Sequence, residues 1–474
     1  MSDSQKRLRS TESGKSINAA EMPCRNGYTG FTVPKDNFTI HRIPVSSVTP
    51  EEFHSKYVCT RTPVVLTGAL LDEHFTALRK WSLSNDRLKE LMGGGDTKLA
   101  IERRGDLLDK FGKGIKVEMT FGDFLQLLEA GNEMHYLTTQ EVLNDENGRP
   151  EVMTSFMKKL QPDFPLRPKL LGHLIPQNIN LWMGSSKHAT SSGLHHDHHD
   201  NLYVLLRGTK HFRLYSPADA TNLYPRGQMS QIHFNGLINY VGKETTPYGA
   251  DIVAERETLA AFETSAAEWE LAEAEKAMEK GVPGAVARLQ AAEDRLEKAM
   301  LHVLHIDKNE FDEDENVENG TFHFEESDSE GNDDSEMDEL DTLDIKEHEM
   351  KTFKRQVSEV EVTYPENFSQ VDLSRLSGSE EAQQELHAEY PHFCQAKAAI
   401  CELEAGEMLY LPASWFHEVK SLNSTQNYGH MALNYWYHPP DQLTPEFYAS
   451  PYSSPLWQLD WEERFVSNKE KGYL

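Results

Sequence analysis

A mainly β domain with flanking helices, split by one long helical and acidic insertion, is the fold class this sequence predicts. Three observations carry that reading. Short runs rich in β-branched and aromatic residues, bounded by Gly-containing turns, recur both early and late in the 474 residues. Between them lies a stretch dense in Ala and Glu, a composition of high helix propensity. Behind it, residues 307–350 hold 20 acids against 2 bases, a mixture too polar to fold on its own.

Taken in order, residues 1–27 read as a disordered polar tail. FTIHRIPV reads as a strand, and SSVTPEEFHSKYV as a short helix with Ser47 or Thr49 as N-cap and Glu51 and Glu52 in its first turn. PVVLTGAL is a buried strand ended by Gly68, MTFGDFLQLLEAG an amphipathic helix closed by Gly131, and HYLTT a further strand. INLWMGSS, HHDHHDNLYVLLRG and TKHFRLYSP follow as three successive strand-like runs. An insertion is expected over 246–352: a helical hairpin over 251–305, broken by GVPG, and then the disordered acidic block. On the second arm Leu289, Ala292, Leu296, Met300 and Val303 recur at helical spacing, the pattern of a packed face. Strand texture returns in QVSEVEVTYP, AAICELEAGEMLYLPASWFHEV and HMALNYWYHP. Residues 28–245 and 353–474 therefore read as two halves of one domain.

Charge and composition exclude several classes. The formal net charge is −30, and the acidic block alone supplies −18 of it. The other 430 residues carry −12, which argues against a protein that grips nucleic acid through phosphates. No apolar run approaches the ~18–20 residues that span a bilayer. The start, MSDSQKRLRSTESGKS, has no apolar stretch behind its basic residues, so no secretory signal is expected. Cys24, Cys59, Cys394 and Cys401 are too few for a disulfide scaffold and form no CxxC pair, which fits a cytoplasmic or nuclear setting. The acidic block reads as a solvated linker or, alternatively, as an attractor of basic proteins.

The densest chemical signal is SSGLHHDHHDNLYVLLRGTKHF at 191–212. On a strand, His195 and Asp197 share one face, with His196 and His198 on the other. His417 in GEMLYLPASWFHEV is the candidate third ligand. Two histidines and one carboxylate on one triangular face of an octahedron leave three positions open, the arrangement of non-haem Fe(II) oxygenases. A histidine-rich stretch alone fits a solvated loop, or adventitious zinc or nickel binding, equally well. Lys210 shifts the balance: flanked by apolar positions on the next strand, it calls for a charged partner such as a co-substrate carboxylate. An exposed edge-strand lysine is the competing reading.

The stretches LHHDHHDNLYVLLRGTKHFRLYSP, FSQVDL, YPHFCQAKAAICELEAGEMLYLPASWFHEV and ALNYWYHP together resemble a JmjC domain, the cupin-type double-stranded β-helix (jelly roll) of Fe(II)- and 2-oxoglutarate-dependent oxygenases. The early IHRIPVSSVTPEEFHSKYVCTRTPVVLTGAL resembles the small hydroxylase-type members, above all the jumonji-type lysyl hydroxylases acting on GTP-binding proteins. The resemblance implies Fe(II), 2-oxoglutarate and O₂ as cofactor and co-substrates, with His195, Asp197 and His417 as metal ligands. It implies Lys210 and Ser192 as partners of the distal carboxylate of 2-oxoglutarate. Asn201, Asn434 and Tyr136 would line the co-substrate pocket, and Trp415 and Trp436 would pack. The insertion separates His195 from His417 by 222 positions but begins and ends outside the strand motifs, so it is not expected to touch the metal site.

The function this implies is hydroxylation of a protein side chain, with 2-oxoglutarate and O₂ converted to succinate and CO₂. Histone lysine or arginine demethylation and RNA-base hydroxylation share the chemistry and stay open as alternatives. So does a non-catalytic cupin scaffold that uses the acidic tract to hold a basic partner. A protein substrate is the expected partner, with neither nucleic acid nor membrane; the oligomeric state is not legible.

Overall fold

The computed structural model describes residues 24–105, 114–144, 150–313, 365–423 and 429–470, with side chains for all of these except 303–313 and 465–470. Two sheets of the first compact unit (1–251 and 365–474) lie face to face. The larger has nine strands in the order Arg42–Pro44, Val64–Thr67, Glu407–Leu411, Asp200–Arg207, His430–Tyr437, Pro176–Gly184, His135–Leu137, Lys98–Arg103 and Ile115–Thr120. The smaller has five: Phe38–Thr39, Ala399–Glu404, Thr209–Tyr215, Phe416–Leu422 and Thr190–Ser191.

Around the cavity, consecutive strands alternate between the sheets, over 176–215 and again over 399–437. Asp200–Arg207 turns at Gly208, which sits at φ +80°, into Thr209–Tyr215 of the opposite sheet. Ala399–Glu404, Glu407–Leu411, Phe416–Leu422 and His430–Tyr437 switch sides in the same way. This is the expected double-stranded β-helix. Leu205, Leu409 and Ala432 from one sheet meet Phe212, Leu214 and Leu403 from the other, and Trp415 closes the core. DNLYVLLR is buried on both faces, which is why it reads as an unbroken apolar run rather than an alternating one.

Asp200 anchors the end of the HHDHH loop from the outer face of this sheet. Its carboxylate accepts from Arg61 Nη1 at 2.8 Å, from the Tyr410 hydroxyl at 2.6 Å and from the Ala413 N–H at 2.9 Å. Both Arg61 and Asp200 are fully buried. A charge pair removed from water survives only when its remaining hydrogen-bonding positions are filled, and here Arg61 Nε also donates to Asn235 O at 2.9 Å.

Several local expectations hold. Thr49 caps the Pro50–Phe53 helix reciprocally with Glu52, Val64–Thr67 ends before Gly68, and Phe121–Glu129 ends before Gly131. Others are corrected. Arg25–Asn26 pairs in parallel with Gln231 and Ile232, so the tail does not extend to 27; residues 1–23 lie outside the described residues. FTIHRIPV is two short strands, one in each sheet, because the chain crosses from Thr39 to Arg42. QVSEVEVTYP, apart from Pro365, also lies outside the described residues.

The second unit, Ile252–Tyr364, contains a helical hairpin of Ile252–Glu279 and Ala285–Glu313. The second helix therefore runs past 305 into what reads as the acidic block; its remainder, 314–350, lies outside the described residues. The packed face follows the expected stripe in part. Ala260, Ala267 and Ala274 are buried on one arm, and Ala285, Ala292 and Ala299 on the other, each set at seven-residue spacing. Met300 is exposed, and Leu289 and Leu296 are half-buried. A strict heptad of alanine defines the seam; of the expected stripe Ala292 lies in it, Leu289 and Leu296 flank it and only Met300 falls off it, while the side chain of Val303 is outside the described residues. Among the described residues no helix is long and apolar enough to cross a membrane.

Replacing Asp200 with Asn strands the Arg61 charge in the core, and such losses cost about 3–5 kcal/mol. The D200N protein should unfold at clearly lower urea concentration. An Arg61→Met, Asp200→Leu pair should recover most of that loss, since it removes both charges together.

Candidate metal and co-substrate site

HHDHH is not a strand. After Thr190–Ser191 the chain follows an irregular path and re-enters a sheet only at Asp200. His195 and Asp197 nevertheless reach one side, because backbone bonds zip this loop onto the next ligand segment. The His195 N–H donates to His417 O at 3.1 Å, and the His417 N–H returns a bond to His195 O at 2.6 Å. The Ser414 N–H donates to Asp197 O at 2.7 Å. His195, Asp197 and His417 each offer a ligand atom within 4.8 Å of the other two. His417 Nε2 stands 3.8 Å from Asp197 Oδ2. His196 points the other way, with Nε2 2.7 Å from the Tyr240 hydroxyl.

The imidazoles are oriented by the backbone. His195 Nδ1 lies 3.0 Å from Gly193 O, and His417 Nδ1 lies 3.0 Å from Trp415 O. A carbonyl only accepts, so Nδ1 carries the proton in both rings and Nε2 is left as the donor atom for a cation. Burial, and then the neighbouring His417, hold His195 down to about 4 against the pull of Asp197. The ring is thus neutral near pH 7, the form that ligates. His195 also stacks on Phe368, with centroids 4.9 Å apart and planes 13° from parallel.

Phe368 opens FSQVDL, in the half of the domain expected to follow the insertion. The chain leaving the insertion lies along the ligand loop: the His196 N–H donates to Asn367 O at 3.1 Å and the Ser369 N–H to Leu194 O at 2.9 Å. Pro365, Asn367 and Phe368 line the cavity with the ligands. The downstream flank of the insertion is part of the site.

That cavity, about 330 Å³, lies between the two sheets. His195, Asp197 and His417 sit on its wall, together with Lys210, Ser192, Asn201, Asn434 and Tyr136. All eight sequence-derived candidates therefore converge. Lys210 is 1% exposed; its ammonium donates to Ser421 Oγ at 2.5 Å and to His430 Nδ1 at 3.2 Å, and its Nζ lies 6.0 Å from the Tyr136 ring centre. Among the described residues its hydrogen-bond partners are these two neutral side chains and no carboxylate, and burial lowers its pKa to about 7. The buried atoms Asn201 Oδ1, Asn434 Nδ2 and Trp436 Nε1 also lack hydrogen-bond partners among the described residues. Unmatched buried polar atoms are rare in folded proteins, and here they cluster on a cavity wall beside an uncompensated cation. A small polar anion fits that lining.

The remaining candidates take different parts. Ser192 donates its hydroxyl proton to Gly193 O at 2.9 Å and accepts from the Val419 N–H at 3.0 Å. Asn434 Oδ1 accepts from Trp182 Nε1 at 2.6 Å. Tyr136 packs over Gly184, where an added Cβ would meet its ring at 2.4 Å. Trp415 is a core residue as expected, whereas Trp436 lines the cavity. Thr190, Ser421, His430 and Phe368 escape the sequence reading. Ser421 is findable, since it shares a strand face with His417 four residues earlier, and His430 stands in the same relation to Asn434. Phe368 opens FSQVDL, one of the stretches that carry the resemblance, but that stretch does not single it out as a cavity residue.

A family model described as a cupin-like domain matches residues 50–443. JmjC domain-containing protein 4 of Schizosaccharomyces pombe is 34% identical over 459 residues, covering 91% of each chain. The chain belongs to the cupin-like JmjC family. It is also similar to the human bifunctional peptidase and (3S)-lysyl hydroxylase JMJD7, at 24% identity over 82% of this chain and 81% of that protein. The lysine-specific demethylase JMJ32 of Arabidopsis thaliana is 28% identical over a shorter stretch, 38% of this chain and 52% of its own.

Losing one ligand should cost this JmjC chain more metal affinity than the about 10–100-fold typical of losing an outer hydrogen-bond partner. His195→Ala, Asp197→Ala and His417→Ala should each show this when Mn(II) binding is followed by calorimetry. His198→Ala should bind as the parent does, because His198 is exposed and outside the cluster.

Proposed function

We propose that this protein is an Fe(II)- and 2-oxoglutarate-dependent oxygenase that hydroxylates a protein side chain. One observation supports it most: a two-histidine, one-carboxylate cluster and a buried lysine without a counter-ion line the same cavity. His195, Asp197 and His417 would hold the metal through one face and leave the opposite face open. Lys210 would hold the far carboxylate of 2-oxoglutarate, and Asn201 and Asn434 would line the pocket around it. Bound iron with 2-oxoglutarate supplies the oxidising chemistry, converting 2-oxoglutarate and O₂ to succinate and CO₂ and delivering one oxygen to a C–H bond.

The chain's own part is placement and exclusion of water. Phe212, Val419 and Leu411 give the cavity apolar walls, which strengthen the pull of Lys210 on an anion. Phe368 holds the His195 ring flat against it, and the carbonyls of Gly193 and Trp415 hold both imidazoles in the ligating tautomer. Hydroxylation rather than demethylation is favoured because the lysyl hydroxylase relative aligns over most of both chains, whereas the demethylase relative covers a minority of this one.

Incubation with Fe(II), ascorbate, 2-oxoglutarate and a peptide library should yield succinate and peptides heavier by one oxygen, read by mass spectrometry. Succinate with peptides lighter by one methylene would instead establish demethylation, and absence of both would reject the oxygenase reading. The pH dependence follows from Lys210. With its pKa at about 7 in the free protein, the amine is neutral above that pH and must take up a proton to pair with a carboxylate. Affinity for 2-oxoglutarate should therefore fall as pH rises from 7 to 8.5. Calorimetry in buffers of different ionisation heat should report proton uptake in that range, and Lys210→Met should abolish the effect.

A further inference from the structure

His195 faces the cavity against the alternation of its own chain. Along Phe416–Leu422, His417, Val419 and Ser421 line the cavity, so Glu418 and Lys420 face outward. Across from them Thr190 pairs with Ser421 and Ser191 with Lys420, which puts Thr190 inside and Ser191 outside. Strict alternation from Ser191 would turn residue 195 outward too. Instead His195 pairs with His417 and faces in. The cause is the number of residues: four steps lead from Ser191 to His195, but three from Lys420 to His417. One extra residue on one side is a β-bulge, and a one-residue shift moves every later side chain to the other face. Ser192 still lines the cavity in phase with Thr190, so the shift falls at Gly193 and Leu194. Gly193 sits at φ +73°, as such a bulge requires.

The contacts that fix this bulge lie on the far side of the sheet. The Gly193 N–H donates to Ser191 Oγ at 3.0 Å, and the Ser191 hydroxyl donates to Glu418 Oε1 at 2.6 Å. A backbone N–H only donates and a carboxylate oxygen only accepts, so both directions are set. Glu418 is 4% exposed despite its outward direction, and its other oxygen lies 3.8 Å from Lys420 Nζ. A carboxylate is seldom buried this far without hydrogen bonds to hold it there. Toward the cavity the same glycine completes the path, since Gly193 O accepts from His195 Nδ1 at 3.0 Å. Glu418, Ser191, Gly193 and His195 thus form one continuous line through the sheet.

We infer that Ser191 and Glu418 are positioning residues for the metal cluster: they hold the Gly193 bulge and, through it, the direction and tautomer of the His195 ring. The inference rests on reading His195 as a metal ligand. It makes an outward-facing carboxylate a determinant of metal affinity through the bond it accepts rather than through its charge.

The test joins Mn(II) calorimetry on the full-length protein with NMR of its histidine ring protons in the metal-free form. Ser191→Ala and Glu418→Ala should each weaken Mn(II) about tenfold, as for loss of an outer hydrogen-bond partner, and the double variant should be no weaker than either. Glu418→Gln keeps an oxygen for Ser191 but drops the charge, and Ser191→Thr keeps the hydroxyl; both should bind as the parent does. In Ser191→Ala the His195 Nδ1 proton should exchange with water faster, while that of His417, held by Trp415 O, stays as it was. A general loss of stability would move both protons and overturn the inference. So would parent affinity in Ser191→Ala, additive losses in the double variant, or a loss in Glu418→Gln as large as in Glu418→Ala. If His195→Ala itself bound Mn(II) as the parent does, the metal-site reading would fall, a result separate from failure at Ser191 or Glu418.

Discussion

The two backbone bonds exchanged between His195 and His417 are the constraint on which the site depends. They join the first half of the β domain to the second across 222 positions. With them in place, the Ser414 N–H reaches Asp197 and the Ala413 N–H reaches Asp200, so one short turn before His417 locates both acidic residues of the HHDHHD run. Ser414 accepts a φ of +59° to make that turn, an uncommon conformation for a residue with a side chain. The Arg61–Asp200 pair then fixes the far end of the loop from outside the sheet.

This arrangement explains why a long insertion is tolerated. The chain leaves the β domain at about 251 and re-enters by 365, and the returning residues pair with the ligand loop. A loop of such length adds little closure entropy beyond that of a shorter one, because the cost grows only logarithmically. What matters is that residues 367–369 find Leu194 and His196 on return. The insertion is thus free in length but not at its downstream edge.

Much of this was legible from residue types and spacing. DNLYVLLR, TKHFRLY and HMALNYWY fall on strands where β-branched and aromatic content put them, and His195, Asp197, His417 and Lys210 line the same cavity. The rest was hidden for physical reasons. HHDHH has strand-compatible spacing, yet its geometry comes from tertiary backbone bonds to 413–417 that no local pattern encodes. The alanine seam of the hairpin is nearly invisible to a hydrophobicity pattern, since alanine contributes little apolar contrast against a background of Ala and Glu. Ser421 and His430 follow from strand periodicity once their strands are anchored by His417 and Asn434. Phe368 lies in FSQVDL, a stretch that marked the domain without marking the cavity.

The carbonyls that orient His195 and His417 have a consequence for metal identity. Because backbone carbonyls set the tautomers, both rings would present Nε2 to a cation without the ion having to select that form. Such nitrogen and oxygen donors with open positions would rank first-row cations largely by their intrinsic affinities, which place Fe(II) below cobalt, nickel, copper and zinc. Little in these three donors favours iron over those competitors. Metal identity is then decided by supply during synthesis and by exchange, so a preparation's activity would track its loading history as much as its fold.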